Sequence, residues 1–243
     1  MAVLLVYSGL VMMVVGAIAL IGPFQFLGIG DGLSGRTLLG AGALLALPAA
    51  LFPASLKRWP GTPTRIDDLM PTYHFHEVHA IRVHASPGRV FRAIKDVTPQ
   101  EIRFLRAFMG IRSFGRADLP KATPFLETFS RWGYRVLVDE PDRELVAGGI
   151  ITFTRASPPV LTDPKGFLMF AQPGCAKVTL SFSVDDLGGG WSSVTTQTRV
   201  LSTDRKGRLW FGAYWRAIYP GSAIIRRMML RGIKLRAEQV AAT

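Results

Sequence analysis

The sequence predicts an α+β fold: a run of antiparallel strands closed by a long C-terminal helix, with two apolar helices in front. Three observations predict it. Charge is nearly absent from one end, since Asp31 and Arg36 are the only charged residues between Met1 and Leu56. Period-two alternation recurs through the middle of the chain. The last stretch carries apolar residues at helical spacing with basic residues opposite them.

The 243 residues suffice for one full domain and an accessory segment. The formal charge of +12 falls wholly after Leu56. Cys175 is the single cysteine, which excludes an intrachain disulfide and a multi-cysteine metal site. No cofactor and no metal are expected.

Ala2 to Gly22 is uncharged and about long enough to cross a bilayer core of roughly 20 residues as a helix. It lacks the basic start and the cleavage site of a signal peptide. Thr37 to about Pro53 is a second apolar run, rich in Gly and Ala, with Pro48 inside. The expectation is a transmembrane hairpin over residues 1–56, a Pro- and Gly-rich linker over 57–72, and a folded domain over 73–243. Lys57, Arg58 and Arg65 follow the second run, so the positive-inside bias puts both ends in the cytoplasm and the protein in the cell membrane as a multi-pass chain. Trp59 stands where an interfacial anchor would, and the bilayer is the expected partner. Gly30 to Gly35 fits G-x-G-x-x-G, but it joins two apolar runs instead of following a strand, so it reads as a loop.

Within the folded domain, Tyr73 to Ala85 alternates as a strand whose odd positions face inward. Ser86-Pro87 starts a short helix that buries Val90, Phe91 and Ile94. Thr98-Pro99-Gln100-Glu101 is a capping box expected to open a helix as far as Ile111. Tyr134–Val138 and Glu144–Phe153 form a hairpin around Glu140-Pro141-Asp142. Gly166–Ala171 reads as a further strand. Ala176 to Val184 and Ser193 to Leu201 read as a pair joined at Gly188-Gly189-Gly190, with Val194, Thr196, Thr198 and Val200 inward. The C-terminal helix reads as two pieces broken at Pro220-Gly221. The first presents Trp210, Phe211, Tyr214, Trp215 and Ile218 on one side. The second sets Arg227, Arg231 and Lys234 against an Ile225–Met228–Gly232 stripe, a basic face suited to anionic headgroups. Helices on one side of an antiparallel sheet give α+β architecture.

Several stretches carry a family resemblance: Asp68-Leu69-Met70-Pro71, His79-Ala80-Ile81-Arg82-Val83 before the Ser86 helix start, and Phe170 to Lys177. The resemblance continues through Thr198-Arg199-Val200 to Asp204, Tyr214-Trp215, Tyr219-Pro220-Gly221-Ser222 and Ile225-Arg226-Arg227. Over Ile66 to Glu238 the chain resembles uncharacterised bacterial members of the START-like superfamily, also called SRPBCC proteins. The resemblance implies a helix-grip fold, a curved antiparallel sheet around the C-terminal helix with a cavity between them. Superfamily cavities hold lipids, sterols, polyketides or aromatics. Cys175 stands where an aromatic is expected and Gln197 where an acid is expected.

The expected pocket is lined by Glu77, His79, Ile81, Val83, Leu180, Phe182, Thr196 and Thr198 from the sheet. Tyr214, Ile218, Ile225 and Met229 line it from the helix. Glu77 and His79 fall two apart on the inward face of one strand, as an acid–base pair, a ligand-binding pair or a self-satisfied buried pair would. No catalytic residue is assigned. His74 and His76 share the other face, but two histidines without a third ligand make a weak metal site. No nucleophile elbow, zincin helix or P-loop is present, and the basic charge is read toward lipid and not nucleic acid. The expected function is binding of a lipophilic small molecule or lipid. An enzyme acting in the same cavity, or an interaction module with a closed core, is the alternative.

Overall fold

The computed structural model describes residues 2–21, 32–112, 119–153 and 163–239. The chain divides into two compact units: Met1–Ala54 with Leu209–Ile218, and Ser55–Arg208 with Tyr219–Thr243.

In the smaller unit, α1 (Ala2–Ile21) and α2 (Gly32–Leu51) pack side by side. Their approach is backbone-close: a methyl placed on Gly9 would lie 2.6 Å from the Gly42 carbonyl oxygen, and one on Gly16 2.7 Å from that of Gly35. Small residues at matching positions of two helices permit this. The expectation that these helices cross a bilayer is corrected, and with it the multi-pass cell-membrane localisation. Among the described residues no helix is long and apolar enough to cross a membrane. A span needs about 20 apolar residues in succession, whereas α2 includes Arg36 and Pro48. In α1 the Tyr7 hydroxyl is turned to the protein, donating to the carbonyls of Arg216 and Ala217. Of the connection between the two runs, Pro23–Asp31 lies outside the described residues.

The larger unit is built on a five-stranded antiparallel sheet of order β3-β7-β6-β5-β4. The strands are β3 (Phe75–Val83), β4 (Arg135–Glu140), β5 (Glu144–Thr152), β6 (Cys175–Gly188) and β7 (Trp191–Ser202). A two-stranded ribbon, β1 (Lys57–Arg58) with β2 (Thr72–Tyr73), and the short helix α3 (Arg65–Leu69) precede it. Thus the stretch read as a linker carries structure of its own, and Ile66, Leu69 and Met70 within it are buried.

Helices α4 (Pro87–Asp96), α5 (Leu105–Arg112) and α6 (Phe125–Arg131) follow β3, α7 (Pro164–Met169) precedes β6, and α8 (Arg205–Gln239) ends the chain. One core joins Val90, Phe91 and Ile94 of α4 and Met229, Leu230 and Ile233 of α8 to Leu180, Phe182 and Val194 on the inner face of the sheet. A second core lies on the outer face, where Ile66, Met70 and Tyr73 meet Val146, Ile150 and Phe167. The order strand, helices, antiparallel strands and long C-terminal helix is the α+β order expected.

Four local expectations are corrected. Residues 166–171 are not a strand: Asp163 caps α7 by accepting from the Gly166 N–H at 2.6 Å, with Pro164 at the first helical position. The Thr98–Glu101 box forms, with the Thr98 N–H donating to Glu101 at 2.9 Å, but it closes a turn. Phe104 is left-handed at φ 62°, and the helix starts only after it, at Leu105. Helix α8 is continuous through Pro220. A proline removes the N–H that would bond four residues back, here to the Arg216 carbonyl. That carbonyl accepts from Tyr7 instead, so the missing backbone bond leaves no orphaned acceptor. On α8 Trp210 is exposed, contrary to its expected place beside Phe211 and Trp215, which are buried.

Candidate ligand site

The inner face of the sheet sets polar groups beside apolar ones through strand register. Glu77 lies opposite Thr198 and His79 opposite Thr196 across β3 and β7. One strand further, Leu180 lies opposite Thr198 and Phe182 opposite Thr196. Alternation puts all of these on one side. The result is a small polar corner at the β3 edge of a face that is otherwise Val, Leu and Phe.

That corner is internally connected. The Ser222 hydroxyl, from α8, donates to Glu77 Oε2 at 2.7 Å, and His79 Nε2 lies 2.8 Å from Glu77 Oε1. The Glu77 side chain is 1% exposed and that of His79 12%, so the pair is withdrawn from bulk water. With a neutral imidazole, the proton shared with Glu77 sits on Nε2 and leaves Nδ1 as an acceptor. Gly221 beside Ser222 brings the helix close to Phe108: a methyl there would touch its ring at 3.4 Å. The Thr196 hydroxyl, facing the same side, is buried and has no hydrogen-bond partner among the described residues.

The remaining pocket expectations divide. Val83, Leu180, Phe182 and Met229 are buried in the inner core, with Ile81 and Ile225 half-buried against it. Tyr214 and Ile218 belong to the smaller unit, where Tyr214 stands 5.7 Å from the Phe211 ring. Of the residues expected to meet lipid headgroups, Lys57 and Arg58 are exposed on β1 and Arg227 and Arg231 on α8. Lys234 is engaged, donating to the Arg82 carbonyl at 2.9 Å. Trp59 is no free anchor: its ring packs 5.1 Å from that of His76, and the Arg199 guanidinium lies 5.9 Å over it.

The outer face holds what the sequence reading missed. Arg199, fully buried, donates to Asp67 Oδ1 at 2.7 Å, to the Met70 carbonyl at 2.9 Å and to Gln197 at 3.1 Å. Lys177 is also buried, and its ammonium donates to the carbonyls of Phe167 and Leu168 at the end of α7. Burial pulls the Lys177 pKa down and pushes that of Glu144 up, although Glu144 accepts backbone N–H bonds from Arg65 and Ile66. Burial likewise lowers the pKa of His74 and His76, helped by Arg208 beside the first and Arg199 and Lys57 beside the second. Among the described residues no group of three His, Cys, Asp or Glu stands together to hold a metal. The signal that could have found Arg199 was present: a mid-strand arginine in one resemblance stretch, reaching Met70 in another.

No family model matches the chain, and no curated protein matches it in sequence. Solved structures are similar at a distance. The protein MLL2253 from Mesorhizobium loti shares 11% identity over 68% of this chain and 98% of its own, with a TM-score of 0.34. The Zhui aromatase/cyclase from a Streptomyces species shares 11% over 68% and 94%, with a TM-score of 0.29. Human STARD10 shares 6% over 74% and 73%, with a TM-score of 0.25. Likenesses at this level bring no ligand or chemistry to this chain.

Proposed function

We propose that the larger unit is a helix-grip domain that binds a lipophilic small molecule, lipids included, between the inner sheet face and α8. The observation that carries this reading is the buried Thr196 hydroxyl, left without a partner opposite His79 on an otherwise apolar face. A buried hydroxyl without a bond costs about 1–3 kcal/mol, and a ligand oxygen placed there removes that cost. Ser222 holds Glu77, which holds His79 through Nε2, so that Nδ1 is the ring nitrogen left for a polar group of the ligand. A few fixed polar groups in an apolar wall is how small-molecule sites orient what they bind.

The test is titration of the full-length chain with a fluorescent fatty-acid analogue. Saturable one-to-one binding is expected, weakened about five-fold or more by His79→Phe, the scale of one lost hydrogen bond of about 1 kcal/mol. Absence of saturable binding to any lipophilic probe sinks the reading and leaves a closed interior serving protein interaction. Catalysis in the same place is the second reading, favoured by the 2.8 Å Glu77–His79 contact. It requires Glu77→Gln to retain a bound substrate yet lose turnover.

A further inference from the structure

The outer face of the sheet carries a separate concavity, a groove of about 770 Å³ between the stretch leading into α3 and the β4–β5 turn. Its size suits a small molecule, for which roughly 300–1,000 Å³ is usual. Its lining is polar, unlike the inner face.

The charges at its rim are largely paired with one another. Arg65 lies 2.7 Å from Asp68, and Glu140 takes Arg65 at 3.7 Å and Arg143 at 3.5 Å. Glu144 is occupied by the N–H groups of Arg65 and Ile66, at 2.7 and 3.2 Å. Asp185 lies beyond them at one side. The floor is different. Ser183 and Thr195 face each other across β6 and β7, and Gln197 lies next along β7. The hydroxyls of Ser183 and Thr195, both half-buried, make no hydrogen bond among the described residues. Trp59 lines one side of the groove, its ring held in place by contacts with His76, Arg199 and Gly61.

We propose that this groove is a second binding site, for a polyhydroxylated ligand of the saccharide class. The Ser183 and Thr195 hydroxyls, which both donate and accept and are presented by rigid strands, match a ligand whose hydroxyls do the same. The indole offers an apolar surface for a sugar's C–H face. A polyanion such as a nucleotide would meet four carboxylates, Asp68, Glu140, Glu144 and Asp185, against the two guanidiniums of Arg65 and Arg143. A lipophilic ligand would strip water from the floor hydroxyls and return nothing.

Isothermal titration of the full-length chain with maltotriose, cellotriose and triacetylchitotriose tests this. At least one should bind saturably. Thr195→Val and Ser183→Ala, each removing one floor hydroxyl, should weaken it about five-fold, and Ser183→Tyr should abolish it by filling the groove. Binding of the fatty-acid analogue should be unchanged in all three variants, which separates this site from the interior one, and a wild-type melting temperature certifies the fold. The proposal is overturned if none of the three sugars binds, or if sugar binding survives Ser183→Tyr or both floor substitutions.

Discussion

The two faces of the β3-β7-β6-β5-β4 sheet are both covered, and by different physics. The inner face is closed by helices through Leu180, Phe182, Val194 and Met229, with a single polar corner at Glu77, His79 and Ser222. The outer face is closed by short segments around buried charge, with Arg199 at 0% exposure and its bonds spread over Asp67, Met70 and Gln197. Burial on this sheet therefore does not report hydrophobicity. On one side it comes from packed methyls and rings. On the other it comes from polar groups that must all be satisfied together, a requirement that fixes geometry more tightly than it adds stability.

The sharpest break of the inner face is Phe182→Ala. Phe182 is 2% exposed at the centre of the core, so the substitution should cost about 3–5 kcal/mol through lost burial and a residual cavity. Urea denaturation measures it. A loss under about 1 kcal/mol would mean that the interior is not tightly packed there, and the contrast between the faces would fail at its first point.

On the outer face, Arg199→Met leaves Asp67 Oδ1 and the Met70 carbonyl without the guanidinium, while Asp67 Oδ2 keeps the Thr64 N–H at 2.8 Å. A cost of about 3 kcal/mol is expected, at the lower end for a broken buried pair because the Asp67 side chain is 18% exposed. Adding Asp67→Asn should recover at least about 1 kcal/mol of it. Simple additivity of the two would show that the guanidinium is held by the carbonyl and Gln197 alone.

These differences explain what could be read from the sequence. The inward set of β3 was legible because Phe75, Glu77, His79, Ile81 and Val83 alternate against exposed Val78, Ala80 and Arg82. β6 was half legible: Lys177, Thr179 and Ser181 look solvated but are buried, because α3 and α7 cover a face that alternation alone assigns to water. Gly166–Ala171 reads as a strand by its apolar content, while the helix signal of α7 lies just ahead of it in Asp163-Pro164. The break expected at Pro220 depended on a tertiary donor, Tyr7, more than two hundred residues away in sequence, and no local rule supplies one. Of the candidate site, Glu77 and His79 were visible as a pair, whereas Ser222 stood only inside a resemblance stretch, with nothing local to tie it to Glu77 145 residues away.

Acid should separate the faces as well. Burial lowers the pKa of His74 and His76 below the ordinary 6.5. A depressed folded-state pKa contributes stability that is present above pH 6.5 and is lost as pH falls through the folded value, since the unfolded chain binds the proton more readily. Stability should therefore fall between about pH 7 and 5.5, before most carboxylates titrate. The His76→Asn variant should show a shallower fall. Glu144, raised by burial, works in the opposite sense nearer its own range, its contribution present at low pH and lost as pH rises through the folded value. A flat profile across this interval would show that neither histidine is held neutral by the fold.

The smallest expected effect is the most discriminating. Thr196→Val replaces an unpartnered buried hydroxyl by a methyl of nearly the same size, at a position 1% exposed. If the hydroxyl serves only the fold, it is a liability there, and its removal should stabilise the empty protein by about 1 kcal/mol. If it serves a ligand, the same substitution should weaken the fatty-acid analogue about five-fold. The proposed site requires both outcomes together: a protein that melts higher without ligand and gains less from it. A variant that is less stable and binds unchanged would mean that Thr196 has a partner the empty interior already provides. The inner face would then be as fully satisfied as the outer one, with no polar group waiting for a guest.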